Sequence, residues 1–375
     1  MRIAIDVRKY HDFGIGTYIR NLVHQLGRID REAEYVLLCR PQDRDQIAVP
    51  GENFRIVVES ARPYSISEQI RIPIALRREH VDLFHAPHYV LPPLVHCRSV
   101  VTIHDCIHLM FPQYLPSRMA YAYAWAQLWT AAHRSDRILT VSETSKLDIL
   151  RRFHVPADKV TVVYNAIDER LTIPPADEGF ERVRARYQLK DPFALYVGNI
   201  KPHKNLERLI DAFHQLRQET AFESLKLVII GDEISKYQGL RRAVHRHKLH
   251  KHVRFFGFVS LETLAVLYRL AGVFVFPSLY EGFGLPPLEA MYFGTPVVTS
   301  NVSSLPEVVG DAAILVDPYD TTSIADGMRK ALLDEDLRSW LRERGMARAR
   351  EYSWERSVER IREVYGEVME RAQPL

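Results

Sequence analysis

Residues 273–300 read VFVFPSLYEGFGLPPLEAMYFGTPVVTS, and this stretch predicts a strand, a loop, a helix and a second strand. Its two ends are short apolar runs without alternation, which are typical of strands covered on both faces. Between them, a glycine-rich loop leads to Pro286 and Pro287, where a helix begins, and the helix ends at Gly294. A strand–helix–strand unit of this kind predicts a parallel sheet with right-handed crossovers.

The same alternation of strand and helix extends outward along nearly the whole chain. At 375 residues the chain is long for one hydrophobic core, and TIPPADEGF at 172–180 interrupts the pattern. We therefore expect an α/β protein with two Rossmann-like, doubly wound parallel-sheet domains that face each other across a cleft. The predicted division is an N-terminal domain at 1–172, a linker at 173–192, a C-terminal domain at 193–352, and a last helical segment at 353–375 that packs back toward the N-terminal domain.

Charge and cysteine content narrow the class of protein. A formal net charge of +3 is too small to indicate a nucleic-acid partner. The three cysteines, Cys39, Cys97 and Cys106, have no metal-type spacing and are typical of a reducing compartment. No stretch reaches the ~20 apolar residues that span a bilayer. We expect a cytoplasmic protein that at most lies peripherally on the inner face of the cell membrane.

The segment 112–134, rich in Tyr, Trp and Ala, is predicted as a helix. Its aromatic side chains fit core packing between helix and sheet. They also fit a face of the N-terminal domain that contacts the acceptor or a membrane. Both interpretations stay open at the level of sequence.

The loop after the strand at 273–278 is a candidate anion site. Glu281 and Glu289 stand eight positions apart, with Gly282 and Gly284 between them. A glycine-rich turn that opens onto a helix N-terminus presents backbone N–H groups to an anion. Because Glu281 lies in the loop and Glu289 on the helix, we expect the two carboxylates to contact different parts of one extended ligand.

A second candidate anion site is YVGNIKPHKNLERLIDAF at 196–213. The strand ends at Gly198, the loop carries Lys201 and Lys204, and Asn205 is expected to cap the following helix. Ligands of doubly wound sheets bind at the carboxyl ends of the strands. The lysines are therefore predicted to bind phosphate at the same sheet edge as the glutamate loop.

In the N-terminal domain, YHDFGIGTYIRNL at 10–22 is predicted as a glycine loop that runs into a helix. Gly14 and Gly16 resemble half of a dinucleotide fingerprint, but Ile19 replaces the third glycine, which disfavours a nicotinamide site. The loop still fits a backbone that approaches a phosphate. His104, at the end of the strand in VVTIHDCIH (100–108), is expected to point toward the ligand.

The spacing of His85 and His88 suggests a metal site. They follow a strand three positions apart, but no carboxylate or cysteine follows at ligand spacing. We expect neither a metal nor a cofactor.

Taken together, these segments resemble the retaining glycosyltransferases of the GT-B fold, family four, a group that includes bacterial mannosyltransferases and glycogen-synthase-like enzymes. The resemblance covers nearly the whole chain and is densest at 257–317, around the Glu-x7-Glu element. It implies a metal-independent hexosyltransferase that moves a sugar from a nucleotide-sugar to a hydroxyl of a glycan or lipid-linked acceptor by front-face attack. The donor it favours is GDP-mannose, with UDP-sugars next.

The resemblance also implies roles for the residues of the double-glutamate loop. Glu289 would accept hydrogen bonds from the ribose hydroxyls of the donor, and Glu281 would contact hydroxyls of the transferred sugar. Backbone amides around Phe283, Gly284 and Leu285 would meet the sugar and the phosphate.

Further roles follow from the same resemblance. Lys204 matches the family's lysine on the pyrophosphate, and His104 matches the histidine beside the anomeric carbon. The glycines at 14 and 16 match the loop near the phosphate. Phe258 and Val259 would lie against the base.

One position departs from the family pattern. Many relatives carry arginine directly after the glycine that occupies position 198, and here the residue is Asn199. Either Lys201 supplies the second positive charge, or the pyrophosphate has one cation fewer.

Three other functions remain open. A nicotinamide or flavin oxidoreductase would also have Rossmann-like halves, but the complete glycine fingerprint is missing from this sequence. A non-catalytic sugar-nucleotide-binding protein would not need Glu281, Glu289, Lys204 and His104 together. A nucleotide-sugar epimerase of the same fold is the third alternative.

Overall fold

The computed structural model describes residues 1–174, 177–189, 192–231 and 237–370. It divides into two compact units. Unit 1 comprises Met1–Asn165 and the C-terminal segment from Ser353, and unit 2 comprises Ala166–Tyr352. Residues 175, 176, 190 and 191 of the predicted linker, and the last five residues of the predicted C-terminal segment, lie outside the described residues.

All strands belong to two parallel sheets. The strands are β1 Arg2–Asp6, β2 Glu34–Cys39, β3 Phe54–Val58, β4 Leu83–Ala86, β5 Arg98–Thr102, β6 Arg137–Thr140, β7 Val160–Val162, β8 Phe193–Val197, β9 Lys226–Ile230, β10 Val253–Phe255, β11 Val273–Phe276, β12 Val297–Ser300 and β13 Ile314–Val316. The order is β3-β2-β1-β4-β5-β6-β7 in unit 1 and β10-β9-β8-β11-β12-β13 in unit 2. The predicted pair of Rossmann-like parallel-sheet domains is confirmed.

The helices lie between successive strands, except for the last three, which follow β13. They are α1 Phe13–Ile29, α2 Glu68–Arg78, α3 Ile107–Met110, α4 Arg118–Arg134, α5 Glu143–Phe153, α6 Asp177–Tyr187, α7 Leu206–Leu216, α8 Gln238–Arg246, α9 Leu261–Leu270, α10 Leu285–Tyr292, α11 Leu305–Val309, α12 Thr321–Leu333, α13 Glu335–Arg350 and α14 Trp354–Glu370. In the part of the chain described here, no helix is long and apolar enough to cross a membrane.

In each sheet the order in which the chain adds strands reverses at one place, and this reversal positions the candidate ligand sites. In unit 1 the chain runs outward from β1 to β2 and β3, and then returns to the other side of β1 with β4. In unit 2 the same reversal puts β8 beside β11, with Ala194 opposite Val273. Ligands of doubly wound sheets bind at the carboxyl ends of the two strands that flank such a reversal.

The last helix completes the core of unit 1. The Tyr365 hydroxyl forms a hydrogen bond of 2.6 Å with Nδ1 of His85, and the Ser357 hydroxyl donates to the carbonyl of Tyr164 at 2.6 Å. Arg137 of β6 pairs with Glu367 at 2.9 Å. The segment after 352 therefore packs with the N-terminal strands.

Several element boundaries differ from the sequence prediction. Helix α1 begins at Phe13, so Gly14 and Gly16 lie in its first turn and not in a loop before it. The segment 112–134 is helical only from Arg118, after a short 3-10 turn at Pro112–Tyr114. Strand β10 ends at Phe255, and α6 occupies most of the segment predicted as a linker.

Candidate functional site

The loops after β8 and β11 are joined directly to each other. The backbone N–H of Leu279 donates to the carbonyl of His203 at 2.7 Å, and the Ser278 hydroxyl donates to the same carbonyl at 3.1 Å. The strand ends thus bring together two segments that lie more than 70 residues apart in sequence, as expected for neighbouring parallel strands.

Lys204 and Glu281 form the central ion pair of this edge. The Lys204 ammonium donates to both carboxylate oxygens of Glu281, at 2.6 and 2.8 Å. Both side chains are only 12–13% exposed, and the ammonium lies 5.2 Å from the ring centre of Phe276. The family resemblance assigns Lys204 to the pyrophosphate and Glu281 to the sugar, and these two side chains are in direct contact. Those two parts of a nucleotide-sugar are covalently adjacent.

Ser303 and Ser304 hold the Glu281 loop in place. The Ser303 hydroxyl donates to the carbonyl of Glu281 at 2.7 Å, and the Ser304 hydroxyl donates to the carbonyl of Phe283 at 2.8 Å. The backbone N–H of Glu281 donates to the Ser303 oxygen at 3.0 Å. Sequence reasoning missed both serines, although the pair stands directly before the short helix α11.

Gly284 starts helix α10 in a left-handed conformation. Its φ is 110°, and a Cβ atom at this position would lie 2.8 Å from a Leu305 methyl group. The next residue, Leu285, carries an N–H, but Pro286 and Pro287 carry none. The predicted anion site at this helix start therefore has fewer backbone N–H donors than an ordinary helix N-terminus offers.

Glu289 lies on α10 and is held by Tyr268 of α9. The Tyr268 hydroxyl donates to Oε2 of Glu289 at 2.7 Å. Burial raises the pKa of Glu289 to about 7, against the lowering effect of the Tyr268 hydrogen bond, and Asp168 raises it further. Burial and the Glu289 charge likewise raise the pKa of Tyr268 well above its usual value. Sequence analysis gave no role to Tyr268, since nothing distinguishes it from a core tyrosine.

Asn205 does not cap α7 through its side chain, contrary to the sequence prediction. It occupies the N-cap position with a φ of 62° and makes no side-chain capping bond. Its amide instead donates to the carbonyls of Pro277 and Pro318, at 3.0 and 2.6 Å. The left-handed backbone turns the side chain away from the helix, and Asn205 ties the β8 loop to the ends of β11 and β13.

The remaining predicted donor contacts of unit 2 lie near the same edge. Gly198 has a φ of 151°, and a Cβ there would lie 2.9 Å from the Tyr196 hydroxyl. That hydroxyl donates to the carbonyl of Asn199 at 3.2 Å. Within the described part of the chain, Oδ1 of Asn199 is buried without a hydrogen-bond partner. Lys201 is exposed at the start of the 3-10 turn Pro202–Lys204.

Phe258 and Val259, predicted against the base, follow the end of β10. Phe258 is 60% exposed, and Val259 is partly exposed. Strand β10 is separated from β8 by β9 alone.

His104 of unit 1 is fixed by a backbone contact. Its Nε2 lies 3.0 Å from the carbonyl of Pro87, which requires the proton on Nε2 and leaves Nδ1 as the acceptor of the neutral ring. Burial lowers its pKa, and the Pro87 carbonyl opposes this shift. The ring centres of His104 and Tyr18 lie 5.0 Å apart, in an edge-to-face arrangement. The geometry presents a neutral imidazole past the end of β5.

Gly14 and Gly16 differ in what surrounds them. A Cβ on Gly16 would lie 2.5 Å from the carbonyl oxygen of Tyr10, whereas nothing lies within 4 Å of one on Gly14. Gly16 is therefore required by the close approach of the chain before α1. This is a packing reason that is independent of any phosphate.

The histidines considered for a metal are engaged by protein groups. His85 contacts Tyr365 and, at 2.8 Å, Thr102, and burial lowers its pKa to about 3. Nε2 of His88 lies 2.7 Å from the Tyr64 hydroxyl, and its Nδ1 accepts from the backbone N–H of Val90 at 3.2 Å. Among the described residues there is no group of three or more potential metal ligands.

Comparisons with known proteins cover both units. Residues 14–171 match the family described as Glycosyltransferase Family 4, and residues 178–348 match Glycosyl transferases group 1. The chain is 34% identical to O-antigen chain mannosyltransferase B of Escherichia coli over 368 residues, covering 94% of this chain and 95% of that protein.

Solved structures share the fold. Sucrose-phosphate synthase from Thermosynechococcus elongatus superposes with a TM-score of 0.81 at 22% identity, covering 99% of this chain and 100% of that one. HepE of Anabaena, in complex with UDP-glucose, superposes with a TM-score of 0.78 at 17% identity, covering 98% of this chain and 100% of that one. At these identities the likeness shows the fold alone.

The two family matches divide the chain in the same order as its two sheets, and the E. coli relative aligns across both. The chain belongs to the GT-B glycosyltransferases of family four and is a hexosyltransferase.

Proposed function

We propose that this glycosyltransferase transfers mannose from GDP-mannose to a hydroxyl of a glycan or lipid-linked acceptor, with retention of configuration. The family and the similarity to the E. coli mannosyltransferase, which aligns over nearly the whole chain, support mannose as the transferred sugar. The observation that carries the catalytic part is the Lys204–Glu281 pair at the carboxyl ends of β8 and β11.

Unit 2 supplies the groups for the donor. Glu289 accepts hydrogen bonds from the ribose hydroxyls, and Glu281 accepts them from hydroxyls of the mannose. The amides around Phe283, Gly284 and Leu285 contact the sugar and phosphate. Lys204 meets the pyrophosphate, and Lys201, exposed on the same loop, approaches it as the second cation. Phe258 stacks on the base, with Val259 beside it.

In the transfer step, the bond between the anomeric carbon and the phosphate oxygen breaks, and the acceptor oxygen bonds to the same face of that carbon. The acceptor's proton passes to the departing phosphate, which grows more negative as it leaves. Lys204 stabilises this growing charge, and removal of one such group typically costs ~3–4 kcal/mol of activation free energy. We place His104, a neutral imidazole past the end of β5, beside the anomeric carbon of the donor.

A UDP-sugar donor is the second candidate, supported by the structural neighbour that holds UDP-glucose. Calorimetric titration of GDP and UDP, followed by transfer assays with GDP-mannose and UDP-glucose, tests the choice. We expect GDP to bind more tightly and GDP-mannose to be consumed. Preference for UDP and UDP-glucose would replace the proposed donor and keep the proposed site.

Lys204→Ala tests the site itself. We expect the variant to fold normally and to lower turnover at least about tenfold, because one charge-assisted contact to the leaving group is lost. Lys330→Ala, an exposed lysine on α12 of the same unit, is the matched control. Wild-type turnover in Lys204→Ala would refute the assignment.

Protein groups also take the place of a divalent metal in this proposal. Transfer should therefore persist in excess chelator. Complete loss of activity that magnesium or manganese restores would contradict the proposed neutralisation of the pyrophosphate by lysine.

We further propose that the enzyme works in the cytoplasm, where a reducing environment keeps its thiols free. Cys39, Cys97 and Cys106 form no disulfide in the structure, and Cys39 and Cys106 are buried. A lipid-linked acceptor would bring the protein to the inner face of the cell membrane.

A further inference from the structure

Helix α4 of unit 1 carries apolar side chains on its solvent-facing side. Trp125 and Trp129 are 47% and 41% exposed, and Met119 at the start of the helix is 83% exposed. The two indole rings stack on each other at 6.4 Å, and Trp129 stacks on His133 at 4.3 Å. A surface helix normally has charged and polar residues on its solvent-facing side. The solvent-facing side of α4 is unusual because it carries large apolar side chains.

The neighbouring helix α2 also carries apolar side chains on its solvent-facing side. Ile70 and Ile74 stand four positions apart, which places them on one side of the helix, and Ile66 lies in the turn that precedes it. Ile66, Ile70 and Ile74 are 82%, 54% and 59% exposed. The opposite side of α2, with Ile72 and Leu76, packs into the core of unit 1.

Three contacts show that these helices form one continuous surface. Tyr123 of α4 donates to Glu68, the first residue of α2, at 3.5 Å. At the other end of α4, Arg134 donates to the carbonyl of Pro93 at 3.3 Å, next to Leu94, which is 65% exposed. Leu128 of α4 shares a core cluster with Ile72 and Leu76 of α2. The apolar face is defined here as Ile66, Ile70, Ile74, Leu94, Met119, Trp125 and Trp129.

The exposed charged residues of α2 and α4 are all basic, because Glu68 is buried and paired with Arg8. No Asp or Glu occurs between Cys106 and Ser135, or between Gln69 and Arg78. Arg118 and Arg134 flank α4, and Arg71, Arg77 and Arg78 lie on α2. Of these, Arg71 is paired with Glu59 at 2.8 Å. Exposed tryptophans and aliphatic side chains bordered by arginine match the boundary between lipid headgroups and acyl chains.

We propose that the apolar face is the surface through which the protein binds an anionic phospholipid bilayer peripherally. The indoles and isoleucines enter the headgroup boundary, and the arginines contact lipid phosphates. A second copy fits less well, because a symmetric contact over α4 would bring arginine next to arginine with no exposed acidic residue on either helix. The proposal rests on the proposed function only in that a lipid-linked acceptor gives the contact a use.

Vesicle flotation of the full chain, without donor or acceptor, tests the proposal. Wild-type protein should float with phosphatidylcholine vesicles that contain phosphatidylglycerol, and at least about tenfold more weakly with phosphatidylcholine alone. The double variant Trp125→Gln/Trp129→Gln should lower binding to the anionic vesicles at least about tenfold. Trp340→Gln, which replaces a tryptophan of unit 2 with 44% exposure, should bind as the wild type does.

A second variant and a second measurement guard against misfolding and other occupants. Ile70→Ser/Ile74→Ser should lose vesicle binding in the same way, and both double variants should bind nucleoside diphosphate normally through unit 2. Brominated lipids should quench the fluorescence of wild type and of Trp340→Phe, but not of Trp125→Phe/Trp129→Phe. Absence of wild-type flotation, equal loss in Trp340→Gln, or a dimer in solution that the same variants dissociate would overturn the proposal.

Because vesicle binding is measured without turnover, its failure is separate from failure of the proposed transferase activity. A protein that transfers mannose but ignores vesicles would retain the proposed function and refute the membrane face. A protein that binds vesicles but leaves GDP-mannose unchanged would support the membrane face and refute the proposed mannosyl transfer.

Discussion

Lys204 and Glu281 neutralise each other, and this affects what each can offer a donor. The ammonium contacts both oxygens of one carboxylate, so a pyrophosphate that binds Lys204 competes with Glu281 for the same cation. Glu289 does not compete with the pyrophosphate for a cation, because its hydrogen-bond partner is the neutral Tyr268 hydroxyl. Removal of the Glu281 carboxylate and removal of the Glu289 carboxylate should therefore have opposite effects on the affinity for a nucleoside diphosphate.

Glu289→Ala should weaken binding of the nucleoside diphosphate about ten- to a hundredfold, since a hydrogen bond to a charged group is worth ~1.5–3 kcal/mol. Glu281→Ala should keep or raise that affinity, because Lys204 loses its competing anion, yet it should cut transfer severely. Calorimetric titration beside a transfer assay measures both effects. Glu335→Ala, on an exposed side chain of the same unit, is the control. If Glu281→Ala loses affinity and Glu289→Ala keeps it, the roles are reversed.

The raised pKa of Glu289 should make stability depend on pH. Its pKa is about 7 in the folded protein against a usual 4.5. Between these values the folded chain holds a proton that the unfolded chain releases, so the free energy of unfolding falls as pH rises through this window. Glu289→Gln removes this effect. Its stability relative to wild type should therefore increase from pH 5 to pH 8, by up to about 3 kcal/mol.

Denaturant titrations of wild type and Glu289→Gln at the two pH values measure the difference. Glu335→Gln, at an exposed residue of the same unit, is the control. A stability difference between Glu289→Gln and wild type that stays constant from pH 5 to pH 8 would show that Glu289 titrates near its usual value.

Strands were easier to predict than helix starts. Runs such as VFVF and FALYV are buried on both faces, and this leaves a direct mark on the sequence. Helix starts depend on packing that the sequence does not display. The sequence predicts a loop at Gly14 and Gly16, but both lie in the first turn of α1. Packing against the Tyr10 carbonyl oxygen, which a Cβ on Gly16 would approach to 2.5 Å, explains the second glycine. Asn205 has a good capping side chain but uses it elsewhere.

At the start of α10, the conformation of Gly284 should be essential. Gly284→Ala places a Cβ in a left-handed conformation and 2.8 Å from Leu305. Such strain typically costs ~1–3 kcal/mol. We expect a loss of stability of this size, together with weaker nucleoside diphosphate binding, because the Glu281 loop and the helix start shift. Thermal denaturation and calorimetry measure the two effects.

Gly366→Ala is the matched control for Gly284→Ala. Gly366 lies inside α14, and a Cβ there would meet nothing within 4 Å. Alanine should stabilise this helix by roughly 0.5–1 kcal/mol, because it restricts the unfolded chain. A neutral Gly284→Ala would show that the turn before α10 tolerates an ordinary side chain.

At the scale of the whole molecule, topology made much of the candidate site predictable. Lys204 and Glu281 were both placed at strand ends of one parallel sheet, and such ends meet at one edge whatever the intervening sequence. Their direct pairing could not be predicted, nor could the support from Tyr268, Ser303 and Ser304. Those contacts depend on side-chain positions that several elements set together.

The return of α14 to the N-terminal strands makes a prediction about independent stability. Ile361 is fully buried on a helix that belongs to unit 1, whereas Phe213 is fully buried on α7 of unit 2. Truncation of either side chain should cost ~2–5 kcal/mol. We propose that the loss stays within the affected unit. Ile361→Ala should raise amide hydrogen exchange in β1, β4 and β5, although these strands lie more than 250 residues away in sequence. Phe213→Ala should raise exchange in β8 and β9 and leave unit 1 unchanged. Exchange measured by mass spectrometry on peptides from both units distinguishes the outcomes. If Ile361→Ala instead raised exchange mainly in β8–β13, the last helix would belong energetically to unit 2, and the assignment of the C-terminal segment would have to be revised.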